Sequence, residues 1–127
     1  MDAADLKYAE THEWVHLDGD VVTIGISAFA ADALSDLVYI ELPEPGAIGK
    51  GDVFGTIEST KSANDLYAPV SGEVTDVNDT LPDDLDAISN DPYGKGWMLK
   101  IKVADASQVG ELMNQAAYQA HCESESH

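Results

Sequence analysis

Gly55-Thr56-Ile57-Glu58-Ser59-Thr60-Lys61-Ser62-Ala63-Asn64-Asp65-Leu66-Tyr67-Ala68-Pro69-Val70-Ser71-Gly72-Glu73-Val74 decides the fold. It reads as a strand, a turn of small residues centred on Lys61, a second strand, and a Pro-Val-Ser-Gly turn into a third. Lys61 therefore falls at a hairpin tip. An arbitrary exposed lysine is a solvated charge. A lysine that another enzyme must acylate needs more, namely an accessible amine on a reproducibly placed backbone, and a tight hairpin supplies both.

Outward from this hairpin, short β-branched runs alternate with Gly, Pro, Asn and Asp, the pattern of a small all-β domain. Strands are expected near 13–16, 21–26, 37–42, 53–58, 64–68, 72–77 and 97–103. In Met98-Leu99-Lys100-Ile101-Lys102-Val103 the alternation turns Lys100 and Lys102 to water and Leu99, Ile101 and Val103 inward. A short helix is expected over 27–34, with Ser27 as its cap and Phe29 and Ala33 on one face. Asp105 or Ser107 suits the start of a C-terminal helical segment holding Val109, Leu112 and Met113, and a second turn follows Asn114. The polar stretch after Cys122 is expected to fray. Gly19-Asp20-Val21-Val22-Thr23 is echoed about fifty positions later by Ser71-Gly72-Glu73-Val74-Thr75, which would suit two facing sheets related by an approximate two-fold axis.

The 127 residues, 44% hydrophobic, fit a single domain, with a core over about 6–118 and a polar tail over 119–127. Six Lys plus Arg stand against 24 Asp plus Glu, for a formal net charge of −18. Nucleic acid and bare anionic membrane are excluded as partners by that balance, because phosphate neutralisation requires clustered cations. The acidity could steer the protein to basic docking faces, or reflect a salty cytoplasm or simple solubility. One cysteine, Cys122, excludes an intrachain disulfide and a CxxC redox pair, so any dithiol chemistry must come from a cofactor. The first residues carry neither a basic and apolar signal sequence nor the Arg of a transit peptide. A bacterial or archaeal cytoplasm is expected, or the mitochondrial matrix had a presequence been removed. His12 and His16 are spaced for metal only on a helix; on a strand that geometry is lost, and no metal site is expected. Trp14, Tyr93 and Trp97 suit packing and loop anchoring. A hydrolase built on His12, His16 and Cys122 has no nucleophile beside a base in this spacing.

Glu58-Ser59-Thr60-Lys61-Ser62-Ala63 followed by Asp65-Leu66-Tyr67-Ala68-Pro69-Val70-Ser71-Gly72-Glu73-Val74 resembles the lipoylation hairpin of glycine cleavage system H proteins. The resemblance extends over nearly the whole chain. It takes in Tyr8, His12-Glu13-Trp14-Val15, Ile24-Gly25-Ile26, Glu41-Leu42-Pro43-Glu44-Pro45-Gly46, Asn90-Asp91-Pro92-Tyr93-Gly94 and Gly96-Trp97, in that order. It implies a mainly β, flattened two-sheet lipoyl-type barrel or sandwich, with a short helix after the second strand and C-terminal helical turns. It implies lipoate joined to Lys61 through an amide, on an arm reaching about 14 Å by standard bond lengths. The protein would then be a carrier without turnover of its own, acting as a monomer. It would shuttle an aminomethyl group from the pyridoxal-phosphate glycine decarboxylase (P protein) to the tetrahydrofolate-dependent aminomethyltransferase (T protein). The flavin-dependent dihydrolipoyl dehydrogenase (L protein) would reoxidise the dithiol, and a lipoyl-attaching enzyme would load Lys61. Glu13 and Asp65 match acidic positions near the loaded arm, with ordinary surface charge as the competing reading. Glu58 and Ser59 suit recognition by the lipoyl-attaching enzyme, with strand-edge polarity as the competing reading. A second functional reading is an H-like relay that donates lipoate to other complexes. Ser35, Leu85 and Ser89 depart from the Gly, Pro and Asn common in the family, so local loop geometry is expected to differ there.

Overall fold

A computed structural model describes residues 6–34 and 36–125. The expectation at Ser35 lies outside the described residues. Among the described residues, nine strands form two antiparallel sheets. The larger has the order β1 (Lys7–Tyr8), β2 (Glu13–Asp18), β3 (Val21–Ile26), β9 (Leu99–Val103), β8 (Gly72–Val77), β5 (Gly46–Ile48). The smaller has the order β4 (Leu37–Glu41), β6 (Val53–Ser59), β7 (Ala63–Tyr67). The sheets do not close into a barrel, so of the two expected forms the sandwich is the one adopted. Helix α1 (Ala28–Leu34) follows β3; α2 (Asp86–Asn90), α3 (Ser107–Gly110) and α4 (Gln115–Glu125) come later.

Local chemistry accounts for the main elements. The β2–β3 hairpin turns through Gly19 and Asp20, and Gly19 sits at φ +66, where a side chain is disfavoured. Ser27 caps α1 as expected, its Oγ accepting the Ala30 amide at 3.2 Å. Asp105 Oδ1 accepts from the Ser107 amide at 3.0 Å, and Asn114 Oδ1 accepts from the Ala117 amide at 2.9 Å, which starts the two C-terminal turns. Val22, Ile24, Ile57, Leu99 and Ile101 meet in the main core, each at most 1% exposed. Full burial of such side chains contributes about 1.5–3 kcal/mol apiece. Trp14 is fully buried, donates from Nε1 to the Pro92 carbonyl at 2.9 Å, and lies where a Cβ on Gly25 would come within 2.7 Å of its ring.

Four expectations need correction. The echoed segments lie in one sheet, not in facing sheets: β3 and β8 flank β9, with Val21 and Glu73 both opposite Lys102 and Val22 and Val74 both opposite Ile101. The tail read over 119–127 is helical as far as Glu125, because Tyr118 and Cys122, one turn apart, are both buried. The last strand starts at Leu99 because the Trp97 amide is taken by the Gly94 carbonyl at 3.1 Å. Strands β1 and β5 were not anticipated. Tyr8 is held by paired backbone bonds to Met113 at 2.8 and 2.9 Å, and β5 by its pairing with β8.

Candidate functional site

The β6–β7 hairpin presents Thr60, Lys61 and Ser62 between its strands, and all three are exposed. Its tip is braced from below. The Ser59 amide donates to the Ser62 carbonyl at 2.8 Å, and the Ser59 hydroxyl oxygen accepts the Lys61 and Ser62 amides at 3.3 and 3.2 Å. Ser59 itself is only 8% exposed. From the side, the Thr60 amide donates to the Asp36 carbonyl at 3.0 Å, so the residue just before β4 supports the same turn. Glu58, half-buried, pairs with Tyr39 on β4 and Ala63 on β7. The other cations have other settings: Lys50 pairs with Glu111 at 3.0 Å, Lys102 approaches Asp20 at 4.0 Å, and Lys100 lies 5.3 Å over the Trp97 ring.

Beside the hairpin lies a cleft of about 540 Å³ between α1 and β7. Ile26, Phe29, Ala33, Leu34 and Ile57 give it an apolar lining, and His12, Asn64 and Asp65 add polar groups. Asp65 is exposed and pairs with Thr56 on β6. It stands four residues beyond Lys61, on β7 after the turn, at most about 13 Å away.

Glu13 occupies a different place. It is 1% exposed and lines a neighbouring depression of about 470 Å³ with Tyr8, Lys50, Pro69 and Met113. Thr11 donates to its Oε1, and the Tyr67 amide lies 3.4 Å from Oε2. Desolvation dominates these bonds and pushes the carboxyl up to about 7. Glu10, Thr11 and Tyr67 line both depressions, forming the ridge between them. The structure thus places Glu13 and Asp65 on opposite sides of one ridge, with Lys61, Glu58 and Ser59 at the hairpin end. Thr11 and Tyr67 were missed by sequence reasoning; the only available signal was a hydroxyl two residues before a glutamate next to Trp14. Among the described residues, no three His, Cys, Asp or Glu side chains gather to hold a metal ion, and no helix is long and apolar enough to cross a membrane.

A two-sheet scaffold with a braced, exposed lysine and an apolar cleft within a few residues of it has the form of a carrier domain. The family model for "Glycine cleavage H-protein" matches residues 6–125, and this chain belongs to that family. It is 48% identical over 120 residues to the glycine cleavage system H protein of a Cyanothece strain, covering 94% of this chain and 93% of the relative. It is 50% identical over 118 residues to that of an Acinetobacter baumannii strain, covering 92% and 95%. The crystal structure of a glycine cleavage system H protein from Mycobacterium marinum is similar with a TM-score of 0.84 at 39% identity, covering 92% of this chain and 95% of the other. The protein is accordingly a carrier component of the glycine cleavage system, from a family of lipoate carriers.

Proposed function

We propose that Lys61 carries lipoate as an amide, and that the protein shuttles a glycine-derived aminomethyl group among the P, T and L proteins without turnover of its own, in a cytoplasmic setting. The observation that carries this is the tip itself: Lys61 is exposed while its own amide and that of Ser62 are fixed on the buried Ser59 hydroxyl. Ser59 therefore serves recognition by holding the turn in shape, and Glu58 is the accessible part of that face. When bound, lipoate would supply a disulfide that acts as both two-electron acceptor and attachment point for the aminomethyl group, and the dithiol left after transfer would be reoxidised. The residues present fit such a group, since an arm of about 14 Å spans the distance to Asp65, and the α1–β7 cleft offers apolar side chains to its alkyl chain. Intact-mass measurement and peptide mapping of native protein should find one lipoyl increment, on Lys61. Glycine-dependent transfer with purified P, T and L proteins should require it. Lipoate on another residue, or lipoate donation to other complexes without glycine-dependent transfer, would overturn this reading.

The cargo nitrogen is cationic, and a carboxylate can hold it by a charge-assisted hydrogen bond. Asp65 lies within arm's length. Glu13, 3.4 Å from the Tyr67 amide, lies beside β7 at a point further along that strand from Lys61 than Asp65. Asp65→Asn and Glu13→Gln should each shorten the lifetime of the loaded form while leaving the lipoyl mass increment intact. Unchanged decay in both would return the two acids to structural and surface roles.

The charge of −18 has a kinetic consequence. Charges on the two partners attract across a Debye length of about 10 Å at 0.1 M salt, which shrinks to about 3 Å at 1 M. Stopped-flow association with a partner enzyme whose docking face is basic should slow steadily over that range. A flat response would remove steering as the role of the acidity.

A further inference from the structure

Tyr118 on α4 stands outside the hairpin and the cleft, yet it touches both supports of the cleft. It is 4% exposed, and its ring stacks on Tyr8 with centroids 4.4 Å apart and planes 4° from parallel. Its hydroxyl lies 2.5 Å from Ser27 Oγ and 2.7 Å from His12 Nδ1. Burial pushes the phenol well above the ordinary tyrosine range, so the hydroxyl keeps its proton and stays a donor.

Each partner is the anchor of a cleft wall. Ser27 starts α1: its Oγ accepts the Ala30 amide at 3.2 Å and its carbonyl the Ala31 amide at 3.0 Å, and α1 then supplies Phe29, Ala30, Ala33 and Leu34 to the cleft. His12 ends the Glu10–Thr11 ridge and itself lines the cleft. Its backbone is held at φ +80, in the left-handed region that costs a non-glycine residue energy and persists only where surroundings impose it. The bonds that impose it are the His12 amide to the Ala9 carbonyl at 3.0 Å and the Ser27 amide to the His12 carbonyl at 2.9 Å. One turn further along α4, His121 Nε2 lies 3.0 Å from the Glu10 carbonyl oxygen, adding a second tie to the same ridge.

We propose that Tyr118 is a positioning residue for the sheltered arm, its hydroxyl locking the start of α1 to the His12 ridge and so fixing the width of the cleft between α1 and β7. The inference rests on the reading of that cleft as the arm's shelter. It gives α4 a task in the carrier's chemistry although none of the cleft-lining residues comes from α4.

Tyr118→Phe deletes the hydroxyl and leaves the ring stacked on Tyr8. In unlipoylated protein, hydrogen–deuterium exchange should rise about fivefold, the scale of one net hydrogen bond, in residues 9–13 and 27–34, while β8 and β9 stay as in wild type. In lipoylated and loaded protein, release of the cargo should accelerate by about the same factor. Ser27→Ala keeps Tyr118 but removes both its partner and the α1 cap to Ala30, so it should reproduce both effects at least as strongly, and serves if the first variant folds poorly. Ala33→Phe, which fills the cleft, tests the shelter separately and should give fast release. Fast release in Ala33→Phe with wild-type release in Tyr118→Phe and Ser27→Ala would overturn the role of Tyr118 and leave the shelter standing. Wild-type release in Ala33→Phe would overturn the shelter, and the inference with it. Exchange raised equally in every segment would show a structural residue only and would also overturn it.

Discussion

Lys61→Arg should fold like the wild type and carry neither lipoate nor cargo. The side chain projects from an exposed tip whose bracing runs through backbone amides to Ser59 and Asp36, so exchanging one long cation for another removes no contact that holds the turn. A surface change of this kind stays within about 0.5 kcal/mol of wild-type stability. The chemistry is far less tolerant. An amine attacks activated lipoate after losing its proton, whereas a guanidinium stays protonated at any physiological pH and is a poor nucleophile. No other lysine offers a substitute setting. Lys50 is paired with Glu111, Lys100 lies over Trp97, Lys102 lies within β9, and Lys7 and Lys95 stand outside the hairpin. Circular dichroism and melting should match wild type, while the lipoyl mass increment and glycine-dependent transfer fall together to background. A mutant that still gains the increment and supports transfer would displace Lys61 and the hairpin reading with it.

The hairpin was legible because its information is local: alternation sets two strands, and small residues between them leave only one long side chain at the turn. The same locality explains the echo. Val22 and Val74 were matched correctly, and both do face Ile101, but nothing in either segment says that a third strand from the end of the chain lies between them. Strands β1 and β5, of two and three residues, are too short to show a period and exist through their partners Met113 and β8. Glu13 is the sharpest case. Its letter reads as surface charge, yet Glu13, Trp14 and Val15 are all buried, so β2 breaks the alternation that would have placed it. Tyr118 and Cys122 were readable as a buried stripe by their one-turn spacing; a polar surround in 119–127 hid it. Long-range desolvation and long-range hydrogen bonds, such as Tyr118 to His12 across 106 positions, leave no trace in a local pattern.

Burial of Glu13 should also be visible in how stability depends on pH. Its carboxyl is pushed from 4.5 to about 7 in the folded protein, chiefly by desolvation, with the Thr11 and Tyr67 bonds opposing. Below about pH 4.5 the group is protonated folded and unfolded, and it adds no pH-dependent cost. Between about 4.5 and 7 the unfolded chain releases the proton while the folded protein keeps it, so the folded state binds more protons and stability falls as pH rises. Above about 7 both states are ionised and the loss is complete. A rise from 4.5 to about 7 corresponds to about 3 kcal/mol. The many other acids titrate too, so the comparison must be with Glu13→Gln, which keeps the shape and an acceptor for the Tyr67 amide but cannot ionise. The stability difference between Glu13→Gln and wild type should grow in favour of the variant from pH 4.5 to 7 and then level off, read from urea unfolding at a series of pH values. A difference that stays flat across the window would mean that Glu13 is solvated as an ordinary carboxylate in the folded protein. Parallel curves would then leave Asp65 as the acid available to the cargo.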